Sequence, residues 1–140
     1  MQARATTLIG RPPDEVFAFI ADPANDRRWR SYLVSSRGHA SAVGDVVTQT
    51  YEARGQTKVI ELEVTEFSPP DRLSYRYRGP ERVRISLQCR PEDGGTRVSF
   101  SVAAELGGLV SLASGRIEAE ALKIAHADLA ALKQVLESVA

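Results

Sequence analysis

The sequence predicts an α+β fold. A curved antiparallel sheet of about seven strands carries two short helices near its N-terminal end, and one long C-terminal helix lies across it. Three observations predict this. From Leu109 to Val139 apolar residues recur at helical spacing, and no proline intervenes. From Asp45 to Val102 apolar and polar residues alternate between turn sequences, as strands with one buried face require. Between the first strand and the others, Pro12-Pro13-Asp14 and Asp22-Pro23 bracket a short helix.

The 140 residues suit one domain, spanning 1–140, with room for a real core. There are 18 basic and 18 acidic residues. That balance argues against a general nucleic-acid binder, which needs a basic face. One cysteine, Cys89, leaves no intrachain disulfide, as expected of a cytoplasmic protein. No N-terminal apolar run resembles a signal peptide, and no segment is apolar enough to insert stably in a membrane.

Ala5 to Gly10 reads as the first strand. In the helix that follows, Val16, Phe17 and Ile20 form the buried face, and Asp14 caps or favours the positive end. Asp22-Pro23 stops it, and a short helix or turn runs through Ala24-Asn25-Asp26-Arg27-Arg28-Trp29. The two short helices make a notch at which the sheet bends. Leu33 to Ser36 is the second strand, followed by His39 in a polar loop.

Val46 to Ala53 and Thr57 to Phe67 flank Gly55-Gln56, which reads as a type II′ turn. That turn pairs Tyr51 with Ile60, Gln49 with Leu62 and Val47 with Val64. After Ser68-Pro69-Pro70-Asp71, the strand Arg72 to Arg78 sets Tyr77 beside Leu62 and Tyr75 beside Val64. On the other face Glu63 meets Arg76 and Glu61 meets Arg78, an attractive charge pairing. In Arg82 to Arg90, residues Val83, Ile85, Leu87 and Cys89 share one face. The type I′ signal Asp93-Gly94 then pairs Cys89 with Val98, Leu87 with Phe100 and Ile85 with Val102. Every turn keeps the apolar residues on one continuous face, and a one-residue slip would break that agreement.

The tail helix carries Ile117, Ala121, Ile124, Ala131, Leu132, Val135 and Val139 on its apolar face. Asp128 falls within that face by phase and reads as an edge position or a local salt bridge. About thirty residues span roughly 45 Å, enough to cross a sheet. Gly107-Gly108 precedes the helix as a hinge.

The order β-αα-β6-α with the long helix last resembles the helix-grip fold. The N-terminal run Pro12-Pro13-Asp14-Glu15-Val16-Phe17-Ala18-Phe19-Ile20-Ala21-Asp22-Pro23, with Trp29 beyond it, is similar to the opening of the polyketide cyclase/dehydrase and lipid-transport group of the START/Bet v 1-like (SRPBCC) superfamily. The C-terminal run Asp128 to Glu137 is similar to that group's terminus, so the resemblance covers essentially the whole chain. It implies a cavity between sheet and long helix holding a small hydrophobic or amphipathic molecule. It carries over no catalytic residue, because its motifs build scaffold.

The registers turn Gln49, Tyr51, Tyr75 and Tyr77 onto the inward, mainly apolar face, where a few polar groups can orient a ligand. With Trp29 at the notch, Leu87 and Phe100 on the sheet and Ile117 on the helix, they are the candidate ligand-binding residues. Tyr51 and Tyr75 are expected to touch the ligand. His39 and His126 lack the spacing of a metal site, and no phosphate-binding loop or dinucleotide fingerprint is present, so no metal or cofactor is expected. Cys89 reads as an inert buried thiol.

Three functions compete. The first is binding or transport of a small hydrophobic molecule, admitted by movement of the Gly107-Gly108 hinge and residues 109–115. The second is a polyketide cyclase- or dehydratase-like enzyme using the same cavity, with Asp128, His39 or Tyr51 moving a proton. The third is a protein-interaction module with a filled core and no ligand. An exposed outer strand leaves a homodimer open.

Overall fold

In the computed structural model, residues 1–105 and 114–138 are described. The elements run β1 (Gln2–Ile9), α1 (Pro13–Ile20), a 3₁₀ turn (Pro23–Arg28), β2 (Leu33–Gly38), β3 (Val46–Ala53), β4 (Gln56–Ser68), β5 (Arg72–Tyr77), β6 (Arg82–Glu92), β7 (Gly95–Glu105) and α2 (Ser114–Glu137). The seven strands form one antiparallel sheet in the order β1-β7-β6-β5-β4-β3-β2. This is the helix-grip arrangement. The hinge Gly107-Gly108, residues 109–113 of the expected tail helix and Val139 of its expected apolar face lie outside the described residues.

The sheet owes its shape to alternation plus turns. Across β6 and β7, Cys89 faces Val98, Leu87 faces Phe100 and Ile85 faces Val102, as Asp93-Gly94 dictates. Asp93 and Gly94 both have positive φ, 49° and 76°, the signature of a type I′ turn. Across β4 and β5 the expected pairs Leu62–Tyr77, Glu63–Arg76 and Val64–Tyr75 are present, and a bulge follows at Thr65.

The β3–β4 hairpin departs from expectation. Tyr51 pairs with Lys58, Gln49 with Ile60 and Val47 with Leu62. The turn residues are Arg54 and Gly55, at φ 53° and 74°, not Gly55-Gln56. A glycine satisfies the first position of one turn type and the second of another, so the dipeptide alone does not choose. The resulting shift is two residues, which leaves every side chain on its expected face because the strand period is two.

α1 begins at Pro12-Pro13 without a side-chain cap. Asp14 makes no cap hydrogen bond, and with Glu15 it places negative charge in the first turn. Val16, Phe17 and Ile20 are buried as expected.

The described part of α2 packs chiefly on β1, with lesser contact to β7 and the 3₁₀ turn. Lys133 Nζ donates to Leu8 O and Gly10 N to Glu137 Oε2, fastening the helix along that strand. Its buried stripe is Ala125, Asp128, Leu129, Leu132 and Leu136. This corrects the expected apolar face: Ile117, Ala121, Ile124, Ala131 and Val135 flank the stripe half-buried, and only Leu132 belongs to both sets. Leu129, Leu132 and Leu136, at i, i+3 and i+7, carry most of the apolar area of this stripe. Each contributes about 2 kcal/mol.

Candidate functional site

The polar groups of the interior cluster come from four elements, the 3₁₀ turn, β2, β3 and α2. The 3₁₀ turn supplies the first. Asp22 starts it by accepting a hydrogen bond from Ala24 N at 3.0 Å. With three residues per turn, positions i and i+3 eclipse. Asp26 and Trp29 therefore share the inward side, only 5% and 4% exposed, while Arg27 and Arg28 face solvent.

Strand β3 supplies Gln49 and Tyr51, and β2 sets Ser36 opposite Gln49. The three converge on Asp26. Ser36 Oγ donates to Asp26 Oδ2 at 2.9 Å, Gln49 Nε2 donates to the same oxygen at 3.1 Å, and Tyr51 Oη donates to Gln49 Oε1 at 2.6 Å. Burial pushes the Asp26 carboxyl up to about 6, against the opposing pull of the Ser36 hydroxyl, the Arg30 charge and the Gln49 amide. A carboxyl poised there changes charge close to neutral pH.

Helix α2 supplies Asp128. Its carboxylate accepts from Arg30 Nε at 3.3 Å, Ser31 N at 2.9 Å and Ser31 Oγ at 2.5 Å. The Arg30 guanidinium also lies 5.4 Å from the centre of the Trp29 ring and 5.0 Å from that of Phe100. Those rings meet edge to face, 6.3 Å apart at 89°. Burial raises the phenols of Tyr51 and Tyr75, and the Asp26 charge adds to both. Asp26, Arg30, Tyr51 and Tyr75 thus share one electrostatic neighbourhood.

Of the eight sequence-predicted residues, Trp29, Gln49, Tyr51, Tyr75 and Phe100 belong to this neighbourhood. Leu87 is buried core and pairs with Phe100 across the strands. Tyr77 stands apart. Its ring folds over Gly79, where an added Cβ would collide with Tyr77 Cζ, and Lys58 Nζ lies 5.9 Å from its centre. Ile117 is half-buried on α2. A cleft of about 970 Å³ opens at the far end of the sheet, between Met1, Tyr77, Val83, Ala104 and Glu118, with arginines and glutamates on its rim. Tyr77 is the predicted ligand residue that lines it. Tyr51 and Tyr75 do not.

The sequence reading missed Asp26, which it placed in the short turn without a role, and Arg30 just beyond it. A three-residue period applied after Asp22-Pro23 would have placed Asp26 beside Trp29. His39 is exposed beside Asp45 and away from the buried groups. Cys89 is buried, and desolvation, with Asp71 adding to it, raises its thiol to about 12, so it is no nucleophile at neutral pH.

The solved structures this chain is similar to repeat its architecture. The TTHA0849 protein of Thermus thermophilus superposes with a TM-score of 0.82 at 19% identity, covering 100% of both chains. A Staphylococcus aureus protein, SA2116, described as of unknown function, gives 0.82 at 11%, covering 99% of this chain and 94% of its own. At these identities the likeness shows the fold alone. No curated protein matches the chain in sequence. Among the described residues no helix is long and apolar enough to cross a membrane. A family model described as polyketide cyclase / dehydrase and lipid transport matches residues 1–137, nearly the whole chain, and the protein belongs to that family.

Proposed function

We propose that the chain binds a small hydrophobic or amphipathic molecule between the inner face of the sheet and the tail helix, with Trp29, Tyr51, Tyr75 and Phe100 around it. One observation carries this reading: a hydrogen-bonded polar cluster, Tyr51–Gln49–Asp26 beside Arg30–Asp128, is set among the buried apolar side chains of the core. A few placed polar groups in apolar walls are the usual composition of a small-molecule site. Family membership supports it.

Trp29 is the one tryptophan, so its emission reports on this region alone. The test is a titration with the uncharged probe N-phenyl-1-naphthylamine, followed by energy transfer from Trp29, beside native mass spectrometry of the purified protein. Saturable one-to-one transfer, or a stoichiometric passenger in the mass, is expected. A linear response together with a clean protein mass overturns the reading in favour of a filled core acting through its surface.

Asp26 favours a second reading, an enzyme of the cyclase or dehydratase kind. A buried carboxyl at about 6 is suited to accept a proton near neutrality, and Tyr51 reaches it through Gln49. This version expects Asp26→Asn to abolish turnover while probe binding persists. Turnover undiminished in that variant would remove it.

A further inference from the structure

We propose that Trp29 Nε1 is the ligand's hydrogen-bond donor, and that the ligand is therefore an uncharged apolar molecule carrying an acceptor oxygen, such as a carbonyl. The proposal rests on the binding reading above and names the chemistry its site selects.

Among the described residues, Trp29 Nε1 is the one buried side-chain nitrogen or oxygen without a hydrogen-bond partner. An indole N–H can only donate. Leaving such a donor buried and unpaired costs about 1–3 kcal/mol, so native interiors seldom keep one without a use. The neighbouring polar groups are bonded to one another: Asp26 to Ser36 and Gln49, Gln49 to Tyr51, Arg30 to Asp128. The orphan is therefore confined to the indole edge and is not a sign of general mismatch. Trp29 is also held rigidly, wedged edge-on against Phe100 with the Arg30 guanidinium over its ring. A fixed donor of this kind discriminates between ligands with and without an acceptor, because its geometry cannot relax to find another partner.

The charges of the neighbourhood set the ligand's charge. Asp26 and Asp128 stand against a single cation, Arg30, already engaged by Asp128. A carboxylate head would meet net negative charge in a poorly solvated place. The site therefore selects against a fatty-acid-like anion.

Three probes of similar bulk separate these terms: 2-acetylnaphthalene with an acceptor, 2-ethylnaphthalene without one, and 2-naphthoate with a charge. By isothermal titration the acetyl compound should bind about tenfold tighter than the ethyl compound, and the naphthoate most weakly. In Trp29→Phe the acetyl preference should fall to parity. In the ¹H–¹⁵N spectrum of the unaltered protein the single indole N–H signal should move downfield with the acetyl compound and not with the ethyl compound. That readout needs no variant, so a misfolded Trp29→Phe leaves the proposal open to test. An equal affinity for acetyl and ethyl probes overturns it, as does a preference that survives in Trp29→Phe. A long-lived water signal at the indole proton that persists under saturating acetyl compound also overturns it. Any of these beside saturable N-phenyl-1-naphthylamine binding removes the donor assignment and leaves the binding reading standing. Failure of every probe removes both.

Discussion

Two arginine–carboxylate pairs in this molecule look alike on paper and differ in physics. On the outer face of the sheet, Arg76 Nη2 meets Glu63 Oε1 at 2.9 Å, with side chains 51% and 27% exposed. Under the tail helix, Arg30 Nε meets Asp128 Oδ2 at 3.3 Å, with side chains 14% and 4% exposed. The shorter contact is the weaker constraint. Water screens the outer pair and solvates either partner if the other is lost. The inner pair is largely out of water's reach, so losing one partner leaves the other charge buried, Asp128 with Ser31 alone and Arg30 with the faces of Trp29 and Phe100. Distance ranks these bonds wrongly, and burial ranks them correctly.

The largest expected effect follows directly. Asp128→Ala strands the Arg30 guanidinium and loosens α2 from the 3₁₀ turn, so urea unfolding should show a loss of about 3–5 kcal/mol. Replacing both partners together, with Arg30→Met and Asp128→Leu, should recover most of it. A single-variant loss below about 1 kcal/mol would mean that the inner pair behaves like a surface one.

Asp26 sharpens the contrast through pH. Its folded carboxyl stands at about 6 against an ordinary 3.8. Over that window the folded state holds a proton that the unfolded chain has released. Stability from this group is therefore greatest below about 4, falls as pH rises towards 6 and is flat above, a total of about 3 kcal/mol. Asp26→Asn should erase this component. The difference in unfolding free energy between variant and parent should shift in the variant's favour from pH 4 to 7. An unchanged difference would place Asp26 in a wetter setting than its burial indicates.

Tyr51→Phe removes the donor to Gln49 Oε1, and about 1 kcal/mol of stability should go with it. Smallest of all, Arg76→Ala should cost at most about 1 kcal/mol, shrinking further in high salt. Thermal unfolding at low and high ionic strength checks this. A large salt-independent loss would erase the distinction between the two faces.

The fold was legible because its signals are local and repeated. Asp93-Gly94 set the β6–β7 register by itself, since both residues tolerate positive φ. Arg54 was not recognisable as a turn residue, yet the two-residue shift that followed was harmless to the faces. Gln49, Tyr51 and Tyr75 point inward for that reason. The site was less legible. Asp26 and Arg30 sit in a charged run that looks solvated, and a three-residue period over so short a stretch barely differs from a helical one. On α2, Asp128 was visible by phase, but Leu129 and Leu136 beside it were passed over in favour of residues on a neighbouring stripe.

By itself the sequence determined the strand faces, the hairpins and the closing helix, because alternation, turn conformations and helical spacing act within a few residues of one another. Only the tertiary structure decided what the interior can do. Asp26 reaches Gln49 across 23 residues and Arg30 reaches Asp128 across 98. Whether a charge at such a position is paired, solvated or stranded depends on which distant groups arrive beside it. No local pattern records that.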